Sequence, residues 1–364
     1  MEIKLFTPEM KEAWDSFVMN VDGGTCYHLS GWRDVLEKTY GHQTYYIYAT
    51  ESQNPKDLEN KSKPDITGLL PLALIKSRLF GRFLISLPFF DHVGILTSSK
   101  DVERALMEKA VGIAKKQRVE FIEFRHLSPT LPDDSNSECL GGELITKQHK
   151  VTLLLDLPNT SDELWKSFKS KLRSQIRKPM KEGLTARIGR IEEVDDFYKV
   201  FSQNMRDLGT PVNSKILFRN ILLEFPSQAR IFIVSKDNYP VGAGLVIGFK
   251  KRLHIPWAST LKKFNHLAPN MLLYWSILEY ACNQGYEIFD FGRTTPDAGT
   301  NKFKEQWSPR PIPLHWQYWI ANGREKPELN KENPKFQMFI KIWQNLPLPI
   351  ANIIGPRIVK YLPQ

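Results

Sequence analysis

Residues 285–307 of this 364-residue chain, GYEIFDFGRTTPDAGTNKFKEQW, bring together residue types that could stabilise negative charge beside a reacting carbonyl. Attack of an amine on an ester or thioester produces an oxyanion. A cation or N–H donor about 3 Å away lowers the energy of that oxyanion by a few kcal/mol. Lys304 is the candidate cation, assisted by backbone amides near Gly299 and Thr300, with Arg293 beside them. The amine must also lose a proton. Asp91 and His92 follow Pro88-Phe89-Phe90 at the end of an apolar run, where either would serve as a base or simply make a turn contact. His28, His254 and His266 have no comparable setting. A solvated polar loop is the alternative for Arg293 and Lys304.

A second cluster lies in NTSDELWKSFKSKLRSQIRKPMKEG, the most basic stretch of the chain. Thr160 and Glu163 have the spacing of a capping box, and Leu164, Phe168, Leu172 and Ile176 form an inward stripe of one helix. Lys169, Arg173, Arg177 and Lys181 then stack four apart on one ridge. Like charges at that spacing cost stability unless an anion offsets them, so the ridge predicts a phosphate-bearing ligand, with a solvated charged face as the alternative. Pro179 should bend or end the helix.

These groups need elements to position them. The run Ile288, Phe289, Phe291 between Gly285 and Gly292 reads as a strand ending in a turn, and Gly299-Thr300 as the point where the chain turns back. LAPNMLLYWSILEYACNQG before it reads as a helix with Pro269 in its first turn and an apolar face through Met271, Tyr274, Trp275, Leu278 and Cys282. ARIFIVSKDNYPVGAGLVIGFKKRLHIPWAST supplies the preceding strands, with VGAGLVIG in a hairpin rather than a nucleotide loop. The first half has the same order. A helix begun at Ser30 buries Trp32, Val35 and Leu36. Two apolar strand runs meet around a turn at Gly81, a helix spans residues 102–116, and a strand spans 119–124. The insertion ESQNPKDLENKSKPD between two strands reads as a solvated loop. An internal duplication explains the repeat.

Composition sets the outer limits. With 41% hydrophobic and 25% charged residues, the chain is globular and long enough for about two domains. Three dispersed cysteines without a CxxC pair indicate neither a disulfide framework nor a zinc site, and no metal is expected. No apolar run approaches the ~18 residues of a membrane span, and the acidic, amphipathic first residues do not read as a cleavable signal. The expected location is cytoplasmic, or peripheral to the inner membrane. A net charge of +10 points to an anionic partner. The tail, KFQMFIKIWQNLPLPIANIIGPRIVKYLP, is too apolar for a disordered terminus and too interrupted by Pro347, Pro349 and Pro356 to span a bilayer. It either covers the first domain or rests on an anionic membrane.

The duplicated plan, the KxRxQIRKxxKEG helix, the PNMLLYWSILEYACNQGYEIFDFG run and GTNKFKEQW together resemble the FemAB superfamily of GNAT-like N-acyltransferases. HLSGW, LPFFDHVGIL, HIPWAST and FGRTTPDAGTNKFKEQW are similar to the FemAB-like proteins associated with exosortase and PEP-CTERM systems of exopolysaccharide-producing bacteria. The resemblance covers nearly the whole chain. It implies an α+β fold of tandem duplicated GNAT-like domains with a cleft between them, at 1–155 and 156–325, and a tail at 326–364. It also implies transfer of an acyl or aminoacyl group to an amine of an anionic cell-envelope or exopolysaccharide precursor. Characterised relatives take amino acids from aminoacyl-tRNA.

By this resemblance, the FK pair near the transferred carbonyl maps to Phe303 and Lys304, and the basic helix to Arg173 and Arg177, where a sugar-nucleotide diphosphate would bind. Arg293, His92, Trp257 of HIPWAST and Asn270 of PNMLLYW complete the expected substrate-binding set, with Asp91 as the catalytic partner of Lys304. No tightly bound cofactor is expected, only an aminoacyl-tRNA or acyl-thioester donor as co-substrate. The approach KKFNHLAPN has no glycine, unlike the pyrophosphate loop of ordinary acetyltransferases. The long helical hairpin of some tRNA-using relatives is absent from the sequence. A non-catalytic protein binding precursors or tRNA is the alternative function.

Overall fold

The computed structural model describes residues 1–51, 65–78, 81–127, 140–296, 299–324 and 334–362. In chain order, the first half forms β1 (Glu2–Leu5), α1 (Lys11–Asn20), α2 (Gly31–Tyr40), β2 (Gln43–Thr50), β3 (Ile66–Ser77), β4 (Gly81–Ile85), β5 (Leu96–Thr97), α3 (Lys100–Gln117), β6 (Phe121–His126) and β7 (Gly142–Lys147). Then come β8 (Val151–Asp156), α4 (Ser161–Ser167), α5 (Ser170–Lys181), β9 (Leu184–Gly189), α6 (Val194–Asp207), α7 (Lys215–Glu224), β10 (Ala229–Lys236), β11 (Tyr239–Phe249) and β12 (Arg252–Thr260). The chain ends with α8 (Pro269–Asn283), β13 (Ile288–Thr294), α9 (Gly299–Glu305), β14 (Arg310–Pro313), β15 (His315–Ala321), α10 (Pro334–Gln344) and α11 (Leu348–Val359). The insertion read as a solvated loop lies almost wholly outside the described residues.

Two compact units divide the chain, each around its own mixed sheet. The first comprises Met1–His149, Pro313–Glu328 and Tyr361–Gln364. Its sheet runs β1-β2-β3-β4-β6-β15-β7, with β5 against β3. α3 packs on this sheet through Leu106, Met107, Ala110 and Ala114. Ser99 accepts from the Val102 N–H at its start, Asp101 and Glu103 occupy its first turn, and Lys115 and Lys116 its last, all matched to the helix dipole. The second unit comprises Lys150–Ile312 and Leu329–Lys360, with strand order β14-β8-β13-β12-β11-β10-β9. β10 and β11 form a hairpin through Asp237 and Asn238, both at positive φ, the conformation a tight primed turn requires. α8 is buried on most of its surface, from Met271 through Cys282, and builds the core of this unit.

The duplication is visible in the ladders. Each unit contains an antiparallel run of three strands, a helix, and a fourth strand parallel to the third. In the first unit β2, β3 and β4 precede α3 and β6; in the second β10, β11 and β12 precede α8 and β13.

Three boundaries differ from the sequence reading. The first continuous segment of the first unit ends at His149, so a boundary at residue 155 falls inside β8. β15, expected in the second domain, pairs with β6 and β7 and completes the first sheet. Residues 334–360 of the tail belong to the second unit: Gly355 lies so close to the Val212 backbone that a Cβ would come within 2.8 Å of its nitrogen, and Arg206 Nη1 donates to the Leu346 carbonyl at 3.0 Å. Small residues at the α11 contact permit that approach. Cys26 and Cys282 are buried thiols, and burial pushes Cys282 up to about 11. Cys139 lies outside the described residues.

Candidate active site

The site in the second unit is built where two parallel strands separate. β12 and β13 pair through only three positions, Arg252 with Ile288, Leu253 with Phe289 and His254 with Asp290, although both strands continue. The registers with their outer neighbours explain the separation. Between Leu245–Trp257 and Ile247–His254, β12 advances one residue more than β11. Between Asp290–Leu154 and Arg293–Thr152, β13 advances one residue more than β8. Each strand therefore carries a bulge just past the last parallel pair, and a bulge bends its strand. Pro256 falls in the first bulge, where a missing N–H is tolerated. Gly292 falls in the second, at φ 72°.

Two opposite charges hold that second bulge. The Gly292 N–H donates to Asp290 Oδ1 at 2.8 Å, and Lys304 Nζ donates to the carbonyls of Gly292 at 3.2 Å and Arg293 at 3.1 Å. Lys304 reaches back from α9, whose Phe303 packs edge-on to Tyr274 at 5.0 Å. Trp307, fully buried just after α9, packs against Phe168. Thus β13 does not stop at Gly292 but continues through Thr294, and Gly299 and Thr300 begin a helix instead of a loop. The apolar spacing Phe303–Trp307 is what draws that segment down onto α8.

Asp290 itself is 1% exposed, so its carboxylate must be compensated. Thr152 Oγ1 donates to Oδ1 at 2.7 Å, sharing that oxygen with the Gly292 amide, while His254 Nδ1 stands 3.2 Å from Oδ2. The His254 approach is close but lacks the in-line geometry of a hydrogen bond. Thr152, His254 and Asp290 come from β8, β12 and β13, one from each of three adjacent strands. Neither Asp290 nor Thr152 is among the candidates expected from the sequence. A polar residue inside an apolar strand, twice, was the available signal: LHIPW and IFDFG.

The remaining second-unit candidates lie on several elements of the same unit. Arg173 and Arg177 lie on α5, which begins only at Ser170 with Lys169 as its N-cap. The single expected helix is two, because the backbone is extended at Phe168 and Lys169 while Phe168 turns its ring between Trp275 and Trp307. Arg177 stacks over Trp165 at 5.1 Å, and the buried Arg173 Nε has no hydrogen-bond partner among the described residues. Pro179 sits inside the last turn and the helix ends two residues later. Trp257 is buried edge-on against Phe218 at 5.2 Å. Asn270 accepts from the Met271 N–H at 3.0 Å at the start of α8, following Ala268 at φ 55°. Arg293 is half-buried on the bulge.

Asp91 and His92 belong to the first unit. Asp91 accepts from Trp316 Nε1 through its backbone carbonyl at 3.0 Å, and buried His92 lies edge-on to Tyr27 at 5.5 Å. The position in this unit that matches Gly292, two residues past the last parallel pair Ile85–Glu123, is Arg125. Its fully buried guanidinium binds Glu123 through Nε and Nη2, both at 2.8 Å, donates to the Phe90 carbonyl, and lies 4.4 Å from the Trp316 ring. Where the second unit has a glycine bulge, the first has an arginine that ties the segment after β4 to β6.

Residues 166–305 match the model of an acetyltransferase (GNAT) domain, a span that contains the basic helix, both bulges and Lys304. No curated protein sequence matches the chain. Among solved structures, FemX is similar with a TM-score of 0.65 and 16% identity, over 93% of this chain and 100% of that one. A tandem GNAT protein from the clavulanic acid biosynthesis pathway aligns with a TM-score of 0.53 and 11% identity, over 88% and 98%. The C-terminal domain of a lysylphosphatidylglycerol synthetase described as putative, from Agrobacterium fabrum, aligns with a TM-score of 0.53 and 15% identity, over 86% and 92%. Residues 166–305 therefore match a GNAT acetyltransferase domain, and the chain as a whole has a fold similar to that of FemX and of the tandem GNAT protein.

Proposed function

We propose that the chain is an N-acyltransferase that moves an acyl or aminoacyl group onto an amine of an anionic cell-envelope or exopolysaccharide precursor, with the reacting carbonyl held at the β13 bulge. The observation that carries this reading is the clamp on Gly292. Asp290 and Lys304 fix a bent strand edge beside parting strands and bring a cation to it. An extended acyl arm fits between strands that have lost each other as ladder partners, and the Lys304 ammonium beside it favours the oxyanion of the tetrahedral centre. The chemistry is then transfer without an enzyme-bound intermediate. The amine attacks the carbonyl, the tetrahedral centre collapses with loss of the thiol or tRNA hydroxyl, and the amine proton leaves with solvent or the leaving group.

The donor is a co-substrate, either an acyl thioester or an aminoacyl-tRNA. The acceptor's negative charge is supported by the basic α5 helix, where Arg173 and Arg177 lie one turn apart, and by the net charge of +10. The test is a transfer assay with acetyl-CoA and with a pool of aminoacyl-tRNA as donors, and a precursor extract as acceptor, read by mass spectrometry for an amide heavier by one acyl or aminoacyl unit. Lys304→Met keeps length and loses charge, so kcat should fall more than KM rises. Absence of any adduct with both donors would favour the binding-protein alternative.

A further inference from the structure

The two C-terminal helices are apolar on both sides, and only one side is used within their unit. α11 turns Ala351, Gly355 and Val359 inward at four-residue spacing, while Trp343 of α10 is likewise buried. The opposite side is also apolar. Ile353 is 61% exposed, Met338 60% and Ile342 55%, with Phe339, Ile350 and Ile354 beside them. Six large apolar side chains left in water on two successive helices are what soluble surfaces avoid. No helix among the described residues is long and apolar enough to cross a membrane, so whatever covers this side lies along it.

The charge pattern selects the occupant. Arg357 is exposed and follows Ile350 by seven residues and Ile354 by three, which places it on the same face, and exposed Lys341 adjoins Ile342. From residue 334 to 362 the sequence contains no aspartate or glutamate. A second copy packed on this face would set its own cations against themselves. We infer that α10 and α11 form a membrane-surface docking face whose partner is an anionic lipid bilayer. The isoleucines, Met338 and Phe339 enter the acyl boundary while Lys341 and Arg357 meet the headgroups, and the buried side keeps the helices fastened to α6.

The test is flotation of the full chain with vesicles of phosphatidylcholine alone and of phosphatidylcholine mixed with phosphatidylglycerol. The chain should float with the mixed vesicles, weakly with the neutral ones, and less as salt rises. Ile353→Glu should abolish flotation without lowering the melting temperature, since its side chain is exposed. Arg357→Glu should weaken binding by at least about fivefold, the factor corresponding to roughly 1 kcal/mol per cation near an anionic surface. Flotation unchanged in Ile353→Glu, or no flotation with mixed vesicles, would overturn the inference. So would a dimer, measured by sedimentation velocity, that Ile353→Glu dissociates, because a second copy would then cover the face.

Discussion

Asp290 and Lys304 take the N–H and the C=O of the same residue, so the bent edge of β13 depends on two side chains of opposite charge. Lys304→Met should therefore do two things. It leaves two carbonyls without their charged donor, a loss of about 1–3 kcal/mol read as a lowered melting temperature, and it removes the cation from the proposed oxyanion. Unchanged stability would mean that the contacts to Gly292 and Arg293 carry no weight. Lys304 was legible in the sequence as a cation after an aromatic, and Asp-Phe-Gly is the pattern of an aspartate bonding to the amide two residues on. The trio was not legible, because Thr152 and Asp290 are separated by 138 positions and only the sheet makes them neighbours.

His126 gives a pH prediction independent of catalysis. Burial, then the nearby His28 and His315, lower it from 6.5 to about 3. In the unfolded chain it takes up a proton below about 6.5, whereas in the fold it stays neutral until about 3. Its contribution is thus complete above 6.5 and is lost as pH falls towards 3, at up to about 1.4 kcal/mol per unit. Denaturant titrations of the wild type and His126→Phe between pH 7 and 4.5 should show a shallower acid loss in the variant. Parallel curves would assign the loss to other groups.

At the scale of elements, periodicity was a reliable guide to helices and less so to strand ends. α2, α3 and α8 lie where apolar spacing put them, because that signal is local. The single helix expected after Thr160 became two for a tertiary reason, the demand of Trp275 and Trp307 for the Phe168 ring. β13 outran Gly292 because a glycine in a strand marks a bulge as readily as a stop. Gly292→Val tests the bulge as an element. At φ 72° a β-branched side chain is strained, so the variant should lose about 1–2 kcal/mol and lose transfer activity together. Native stability would mean that the bulge relaxes without cost.

The α5 ridge keeps its spacing despite the break, with Lys169 as cap. Arg173→Ala combined with Arg177→Ala should weaken binding of a nucleoside diphosphate sugar, used as a calorimetric probe, by roughly tenfold or more per lost charge-assisted contact, and should flatten its salt dependence. Equal affinity would reduce the ridge to a solvated face, with Arg177 serving only to cover Trp165.

For the whole molecule, the duplication could be read from the order of strands and helices, and the fold followed. What the sequence could not convey is that the copies diverged at one equivalent position. Glycine stands there in the second unit and a fully buried arginine in the first, a difference that emerges only when the two parallel pairs are set in register. Membership of β15 in the first sheet was hidden for the same reason, since pairing over that chain separation leaves no local trace. Arg125→Met should destabilise the first unit by about 3–5 kcal/mol, because Glu123 is left buried without its partner. A neutral outcome in thermal unfolding would show that the ion pair is dispensable.

The central claim is that acyl transfer takes place at the Gly292 bulge of the second unit. The most direct measurement is single-turnover transfer from acetyl-CoA and from aminoacyl-tRNA to an amine acceptor, comparing the wild type with Gly292→Val and Lys304→Met at matched folded fractions. The account predicts a new amide with one donor, formed by the wild type and reduced at least about a hundredfold in both variants, the size expected for loss of an oxyanion-stabilising donor. Transfer at the wild-type rate in both variants, or no amide from either donor, would contradict it.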